Sequence, residues 1–277
     1  MTANVYFNRP MIMGILNVTP DSFSDAARYV DVDQAVAHGL AMAKQGADII
    51  DVGGESTRPG SASVEANEQK RRELAVIACL KAKLPEDVSI SIDTTLSEVA
   101  QAALDTGASI INDISAGRHD PEILALAADR GVTLAVMHMQ GTPQTMQNNP
   151  LYDDVVAEVE AFLIERARVA EAAGVPRDRI ILDPGIGFGK TREHNLSLLA
   201  CLNRFVRLNY PILLGASRKR FMGALCDVKM PEELIPATCA TTALGVMANV
   251  SIFRVHDVAA NRQAADVAWA VKNAAMQ

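Results

Sequence analysis

Eight short apolar runs in this chain each finish on a polar residue, and the endings together carry chemical content. They are Asn17, Glu55, Asp93, Asn112, His138, Asp183, Ser217 with Lys219, and Arg254 with His256. Two sets emerge. Arg254, His256 and, in "ESTRPG", Arg58 suit an anion, with Asn17 and Thr57 as neutral partners, because a guanidinium fork matches phosphate oxygens. The amide oxygen of Asn17 also suits Mg²⁺, which prefers oxygen ligands and shares them with substrate phosphates. Asp93, Asn112, Asp183 and Lys219 form the other set. Carboxylates accept from ring N–H and amino groups, while Asn and Lys donate to ring nitrogens or carbonyls. This set matches a flat heterocycle with a guanidine-like edge. Arg254 has a second reading, an ion pair with Asp257 or a neighbouring carboxylate. A single polar strand end is commonly a turn residue, but eight in succession ask for a shared purpose.

The stretch "LDPGIGFGKT", residues 182–191, resembles a phosphate-binding loop and is not one. That loop needs a glycine five positions before its last glycine, and counting back from Gly189 reaches Pro184. Asp183 just ahead would repel phosphate. The glycines instead allow close backbone approach to a ring, and Phe188 offers a face.

Something must hold these endings together. The runs begin at Met11, Ala47, Val88, Ser109, Val132, Arg179, Pro211 and Val250, and each is nearly continuously apolar, as in parallel strands covered on both faces. Helical patterns separate them. "DVDQAVAHGLAMAKQG" starts on acidic cap candidates and stops at Gly46. "DPEILALAADRG" offers Asp120 as N-cap, Pro121 at the first helical position and Gly131 past the end. "LSEVAQAALDTG" stops at Gly107. Eightfold strand–helix alternation predicts an α/β fold, a single (β/α)8 TIM barrel, with the polar endings gathered at one rim. An open doubly wound sheet is the alternative. No linker divides residues 1–277, which read as one domain.

The totals exclude other classes. Net charge is -7 with scattered basic residues, which argues against nucleic acid. No run approaches the roughly 20 apolar residues of a membrane span, so a cytoplasmic protein is expected. The four cysteines, Cys79, Cys201, Cys226 and Cys239, lie far apart in apolar, helical contexts and read as buried reduced thiols. His38, His119 and His194 read as surface residues. No cluster has zinc spacing, which removes a metal role from His138.

The segments "GILNVTPDSFSD", "DVGGESTRPG", "SIDT", "IINDIS", "MHMQGTP", "LDPGIGFGK", "GASRKRFMG" and "FRVHDV" resemble, in order, the motifs of the dihydropteroate synthase family, from Gly14 to Val258. The resemblance implies a TIM barrel of folate biosynthesis, usually a homodimer. It joins 4-aminobenzoate to 6-hydroxymethyl-7,8-dihydropterin pyrophosphate with help from Mg²⁺, and sulfonamide inhibitors compete with the aminobenzoate. It implies that Asp93, Asn112, Asp183 and Lys219 bind pterin, lined by Met137 and Gly215. Asn17, Arg254 and His256 would hold pyrophosphate and metal, with Thr57, Arg58 and Pro59 on a second mobile loop. Ser22, Phe23, Phe188 and Ser217 would flank the aminobenzoate, and Pro59 is grouped with them. By these roles Asp93, Asp183, Lys219, Arg254 and His256 are the catalytic candidates. One departure is Ala26-Ala27, where the family often has a glycine pair; a stiffer first loop follows. Residues 232–249, rich in alanine and threonine, are a candidate dimer face. The competing readings are a pterin-dependent methyltransferase barrel acting on methyltetrahydrofolate, a Schiff-base aldolase using Lys219, and a pterin carrier without catalysis.

Overall fold

All eight apolar runs become strands in a computed structural model that describes residues 9–18, 28–56, 60–61 and 64–274. They are β1 (Met11–Asn17), β2 (Ile49–Gly53), β3 (Ser89–Asp93), β4 (Ile110–Asp113), β5 (Thr133–Met137), β6 (Ile180–Asp183), β7 (Leu213–Leu214) and β8 (Ile252–Val255). All pairs are parallel, in the order β6-β5-β4-β3-β2-β1-β8-β7. A parallel bridge between Leu182 and Ile212 joins β6 to β7 and closes the ring. The chain folds as a (β/α)8 TIM barrel. The surrounding helices are α1 (Arg28–Lys44), α2 (Ala66–Lys83), α3 (Ser97–Thr106), α4 (Glu122–Arg130), α5 (Val155–Ala172), α6 (Arg192–Ala200), α7 (Leu202–Val206), α8 (Arg220–Cys226), α9 (Ile235–Met247) and α10 (Val258–Ala274).

Strand side chains alternate between two cores. One parity (Ile12, Leu16, Ile50, Val52, Ile90, Ile92, Ile111, Leu134, Val136, Leu182, Leu214 and Phe253) packs in the layer shared with the helices. The other parity points into the barrel. There Met13, Ile49, Ile110, Ala135, Ile181, Leu213 and Ile252 form a separate buried cluster. This plug fills the lower lumen. Two residues further along, β2, β4, β6 and β8 turn polar at Asp51, Asn112, Asp183 and Arg254, so register stacks a polar layer on an apolar floor.

Some expectations shift at element ends. α1 begins at Arg28, so Asp31 and Asp33 lie inside it rather than capping it. Pro121 takes the N-cap position of α4, one residue later than expected. Asp120 accepts from Glu122 N (3.1 Å) and also from Ser97 N (2.7 Å) at the start of α3, so one carboxylate serves two helices. Gly107 and Gly131 end α3 and α4 as expected, both with positive φ. The cysteines are unpaired, but Cys226 is exposed and the other three are half-buried, so they are not the core thiols expected. β7 is short because Pro211 has no N–H to give and Gly215 follows at once.

Candidate active site

The polar layer centres on Asp51, which is 0% exposed. It lies in mid-strand β2, with inward parity shared by Ile49 and Gly53. Its Oδ2 accepts from Arg254 Nε (2.7 Å) and from Asn112 Nδ2 (3.1 Å), while Oδ1 is buried without a partner. Arg254 NH2 donates to Asp93 Oδ2 at 2.6 Å. The guanidinium thus bridges two carboxylates from β2 and β3 across the lumen. Gly53 makes room for this, since a Cβ there would come within 3.3 Å of the Asp93 Cβ.

Burial governs the charges. It pushes the Asp93 carboxyl up to about 7 against the opposing Arg254 charge, and Asp51 adds to the rise. Burial likewise raises Asp183 to about 6, opposed by the Gly185 N–H and by Lys219 and Lys190. Lys219 falls to about 8 through burial and Arg254. Burial works against the Arg254 cation, but Asp51 and Asp93 outweigh it and hold its pKa above the ordinary guanidinium value. Protons can therefore redistribute near neutral pH when a ligand with its own donors enters.

The glycine-rich segment after β6 forms one wall, and nearly every peptide in it is fixed. Gly185 N donates to Asp183 Oδ1 (2.7 Å) and Gly187 N to Asn195 Oδ1 (2.7 Å). Gly187 O accepts from Gln147 Nε2 and Gly189 O from the Tyr152 hydroxyl. All three glycines have positive φ. A Cβ at Gly185 would lie 1.9 Å from the His138 carbonyl oxygen, and one at Gly189 would lie 2.6 Å from that of Gln140. The segment presents Phe188 to the mouth, with Lys219 Nζ 4.0 Å from its ring centroid. That is a cation–π contact.

On the far side, the Ser217 hydroxyl accepts from His256 N (3.2 Å) and sits 3.0 Å from His256 Nδ1. These two contacts to one hydroxyl fix the orientation of the His256 ring. Burial, with Arg254 and Arg218 nearby, lowers His256 to about 3, so the ring is neutral. Arg218, at φ 55, turns the chain between Ser217 and Lys219 and is anchored by Asp257 at 2.6 and 2.9 Å.

The structure brings Asp93, Asn112, Asp183, Lys219 and Arg254 into one polar layer, with Met137 and Gly215 on the same strand parity. Gly215 leaves open space, the nearest side-chain atom being Asp183 Oδ2 at 3.6 Å from a built Cβ. Asn17 ends β1 at the same rim, half-buried. Two strand-end residues face elsewhere. Glu55 Oε2 accepts from Gln69 of α2, and His138 turns behind the wall toward Lys190. Arg254 also departs from the expected division. Its guanidinium is committed to Asp51 and Asp93 among the ring-reading residues, whereas Asp257, one partner considered for it, is taken by Arg218. Ser22, Phe23, Thr57, Arg58, Pro59 and the Ala26-Ala27 pair lie outside the described residues. Among the described residues no cluster of three His, Cys, Asp or Glu could hold a metal.

Sequence reasoning missed Asp51, Glu73 and Lys190. Asp51 carried a signal, an acid inside an apolar strand two residues before a glycine pair. Glu73 and Gln69 are buried on α2 and serve the end of β2. Gly54 N donates to Glu73 Oε1 (2.5 Å) and Arg72 donates to Gly54 O (2.7 Å). Gln69 ties Glu55 to the Thr94 hydroxyl. Burial raises Glu73 to about 8 against the Gly54 N–H, and its Oε2 is buried without a partner.

A closed barrel whose mouth carries buried carboxylates, an amide and a lysine over an apolar floor defines a class that reads polar heterocycles. Residues 13–256 match the pterin binding enzyme family. The chain is 45% identical over 251 residues to the dihydropteroate synthase of Escherichia coli, covering 91% of this chain and 88% of that one. The Xanthomonas albilineans dihydropteroate synthase with 4-aminobenzoic acid superposes with TM-score 0.89 at 46% identity, covering 96% and 94% of the two chains. The same enzyme in complex with 7,8-dihydropteroate gives 0.86 at 43%, covering 96% and 94%. The Yersinia pestis synthase in a sulfonamide drug complex gives 0.89 at 39%, covering 96% and 95%. The chain belongs to the pterin-binding enzyme family and, within it, to the dihydropteroate synthases, which are transferases.

Proposed function

We propose that the barrel mouth joins the amino nitrogen of 4-aminobenzoate to the methylene carbon of 6-hydroxymethyl-7,8-dihydropterin pyrophosphate, giving 7,8-dihydropteroate and pyrophosphate. The observation that carries this reading is the convergence of buried Asp93, Asn112 and Asp183 with half-buried Lys219 around one lumen, over an apolar floor. The Xanthomonas synthase complexes with 4-aminobenzoic acid and 7,8-dihydropteroate support it. In the reaction the carbon–oxygen electron pair leaves with the pyrophosphate, the amine nitrogen bonds to carbon, and an amine proton passes to water. Positive charge develops on the methylene and spreads into the ring. Asp93 and Asp183 face that charge, and such stabilisation of developing charge is a large catalytic contribution. An aromatic amine is neutral at pH 7, so no strong general base is needed.

His256, a neutral ring oriented by Ser217, is assigned with Asn17, Thr57 and Arg58 to the pyrophosphate. Arg254 holds Asp51 and Asp93 in place and supplies positive charge to the same mouth. Ser22, Phe23, Pro59, Phe188 and Ser217 are assigned to the aminobenzoate side, where sulfonamides would compete, as the Yersinia drug complex suggests. Mg²⁺ fits only as a substrate-borne ion. The single neutral oxygen of Asn17 suits a metal held chiefly by phosphates and water, and a resident site would need more ligands. When bound, it would neutralise charge on the leaving group.

A homodimer is proposed through α9 and α10. Leu244 and Val267 are 63% and 66% exposed, Met247 and Val271 are also exposed, and a cleft of about 560 Å³ lies between the helices, lined by Ile235, Cys239, Ala243 and Ala264. Solvated helices rarely carry such an apolar face. Unpaired thiols suit a reducing cytoplasm, and among the described residues no helix is long and apolar enough to cross a membrane.

The test is pyrophosphate release by pure protein with both substrates and Mg²⁺. Release should require 4-aminobenzoate, stop on chelation, and fall with added sulfonamide. Pterin binding without aminobenzoate-dependent release would make the protein a carrier and refute the proposal.

A further inference from the structure

Lys190 is buried, 3% exposed, and the chemistry above leaves it unused. Its Nζ donates to the Phe188 carbonyl (2.9 Å) and to His138 Nδ1 (2.9 Å), and it lies 3.4 Å from the His138 carbonyl. An ammonium has three protons, and these three acceptors account for them. None is a carboxylate. The acceptors belong to two elements, the wall after β6 and the end of β5, so Lys190 bolts one to the other. His138 is itself held edge-on by Phe162, with ring centroids 4.8 Å apart, and faces Tyr152, whose hydroxyl also holds the wall at Gly189. Burial, Lys190 and Arg118 lower His138 to about 3, so the ring is neutral, and an ammonium beside Nδ1 makes that nitrogen the acceptor.

The wall's inner face meets the mouth. Gly187 leaves a groove for the Lys219 stem, since a Cβ there would lie 2.8 Å from its Cδ, and the stem ends over the Phe188 ring. Lys190 therefore fixes a carbonyl whose own ring supports Lys219. It also acts on Asp183. The charges facing Asp183 are Lys219, Lys190 and Arg254, and those facing Lys190 are Asp183 and Lys219. Burial, with Lys219, lowers Lys190 to about 7 against the opposing pull of Asp183.

We propose that Lys190 is a positioning residue for the pterin pocket: it holds Phe188, and through it Lys219, from behind, and its charge backs the Asp183 carboxylate. This rests on the assignment of Asp183 and Lys219 to pterin. Lys190 touches no substrate, so its effect must appear through those two groups.

The sign of the pH effect follows. Removing a positive charge behind Asp183 raises its pKa, so the carboxylate protonates at higher pH. The acid limb of pterin affinity then moves upward.

The experiment titrates 6-hydroxymethyl-7,8-dihydropterin into the protein by calorimetry between pH 5 and 8, using the wild type, Lys190→Met, Lys190→Gln, Lys190→Arg and Asp183→Asn. Lys190→Met should weaken binding about tenfold at pH 6 and shift the acid limb up by roughly half to one pH unit. Lys190→Gln should do the same and takes its place if the Met variant does not fold. Lys190→Arg keeps the charge and should restore the limb while leaving affinity below wild type. Asp183→Asn should lose affinity, and adding Lys190→Met to it should move the remaining limb no further. Folded Met and Gln variants with the wild-type limb and affinity would overturn the proposal while leaving the pocket assignment standing. Wild-type affinity in Asp183→Asn would overturn the pocket assignment, and this proposal with it.

Discussion

Replacing Asp51 with Asn leaves the shape of the side chain and removes its charge. Asp51 Oδ2 accepts two bonds, one from a guanidinium at 2.7 Å, at a site with no solvent access. A hydrogen bond to a charged group contributes about 1.5–3 kcal/mol, and an amide oxygen can keep one of the two donors as a neutral bond. The expected loss of stability is therefore about 1.5–3 kcal/mol. Asp51→Ala strips both donors and breaks a buried ion pair, with an expected loss of about 3–5 kcal/mol. Arg254 would then lean on Asp93 alone, so pterin affinity should fall about tenfold or more. The pH dependence has a definite sign. A carboxyl raised from 3.8 to about 7 stays protonated in the folded state where the unfolded chain has ionised, so stability falls as pH climbs through that window. Asp51 helps to raise Asp93, so Asp51→Asn should flatten this fall. Urea unfolding at pH 4.5 and pH 7, paired with pterin calorimetry, measures both effects. An Asp51→Asn protein with wild-type midpoints at both pH values and wild-type affinity would refute the view that Asp51 organises the layer.

Arg254→Ala should weaken hydroxymethyl dihydropterin and its pyrophosphate ester alike, because the guanidinium is held by Asp51 and Asp93; calorimetry with both ligands checks this, and a loss confined to the ester would restore a purely anionic role. Ser217→Ala frees His256 Nδ1 and removes a group assigned to the aminobenzoate, so it should raise the KM for the pterin ester and for 4-aminobenzoate several-fold each, as steady-state kinetics would show. Leu244→Glu puts charge on the exposed α9 face and should leave a folded monomer by sedimentation; an unchanged association state would move the dimer face elsewhere.

The strands were legible because each is an apolar run ending at a polar residue, and both features survive without knowledge of their neighbours. The helix ends at Gly107 and Gly131 were legible for the same local reason. What escaped was set across the barrel. Arg254 and Asp51 are 203 positions apart, and only ring closure, which lays β8 beside β1 and β1 beside β2, makes them partners. Asp51 looked like part of an apolar strand until register gave it inward parity. Glu55 and His138 looked like rim residues because their neighbours are; Glu55 lies past the end of β2 and is held by Gln69 of α2, while parity turns His138 toward Lys190. Lys190 stood in plain view within "GIGFGK", yet no local pattern says whether a lysine there reaches forward to a ligand or back to a histidine.

The wall after β6 also limits how the molecule can change. Gly185, Gly187 and Gly189 each adopt a backbone conformation that other residues resist, and each has an atom where a side chain would begin, at 1.9, 2.8 and 2.6 Å. At Gly185 and Gly189 the obstructing atom is backbone, which cannot swing aside. A single substitution at either position therefore requires the end of β5 to move as well, and one change in the gene cannot supply that. For a population exposed to a compound seated in this mouth, escape by point mutation would have to spare Gly185 and Gly189. A compound that draws most of its contacts from the backbone of these two glycines would rest on a part of the pocket with little evolutionary latitude.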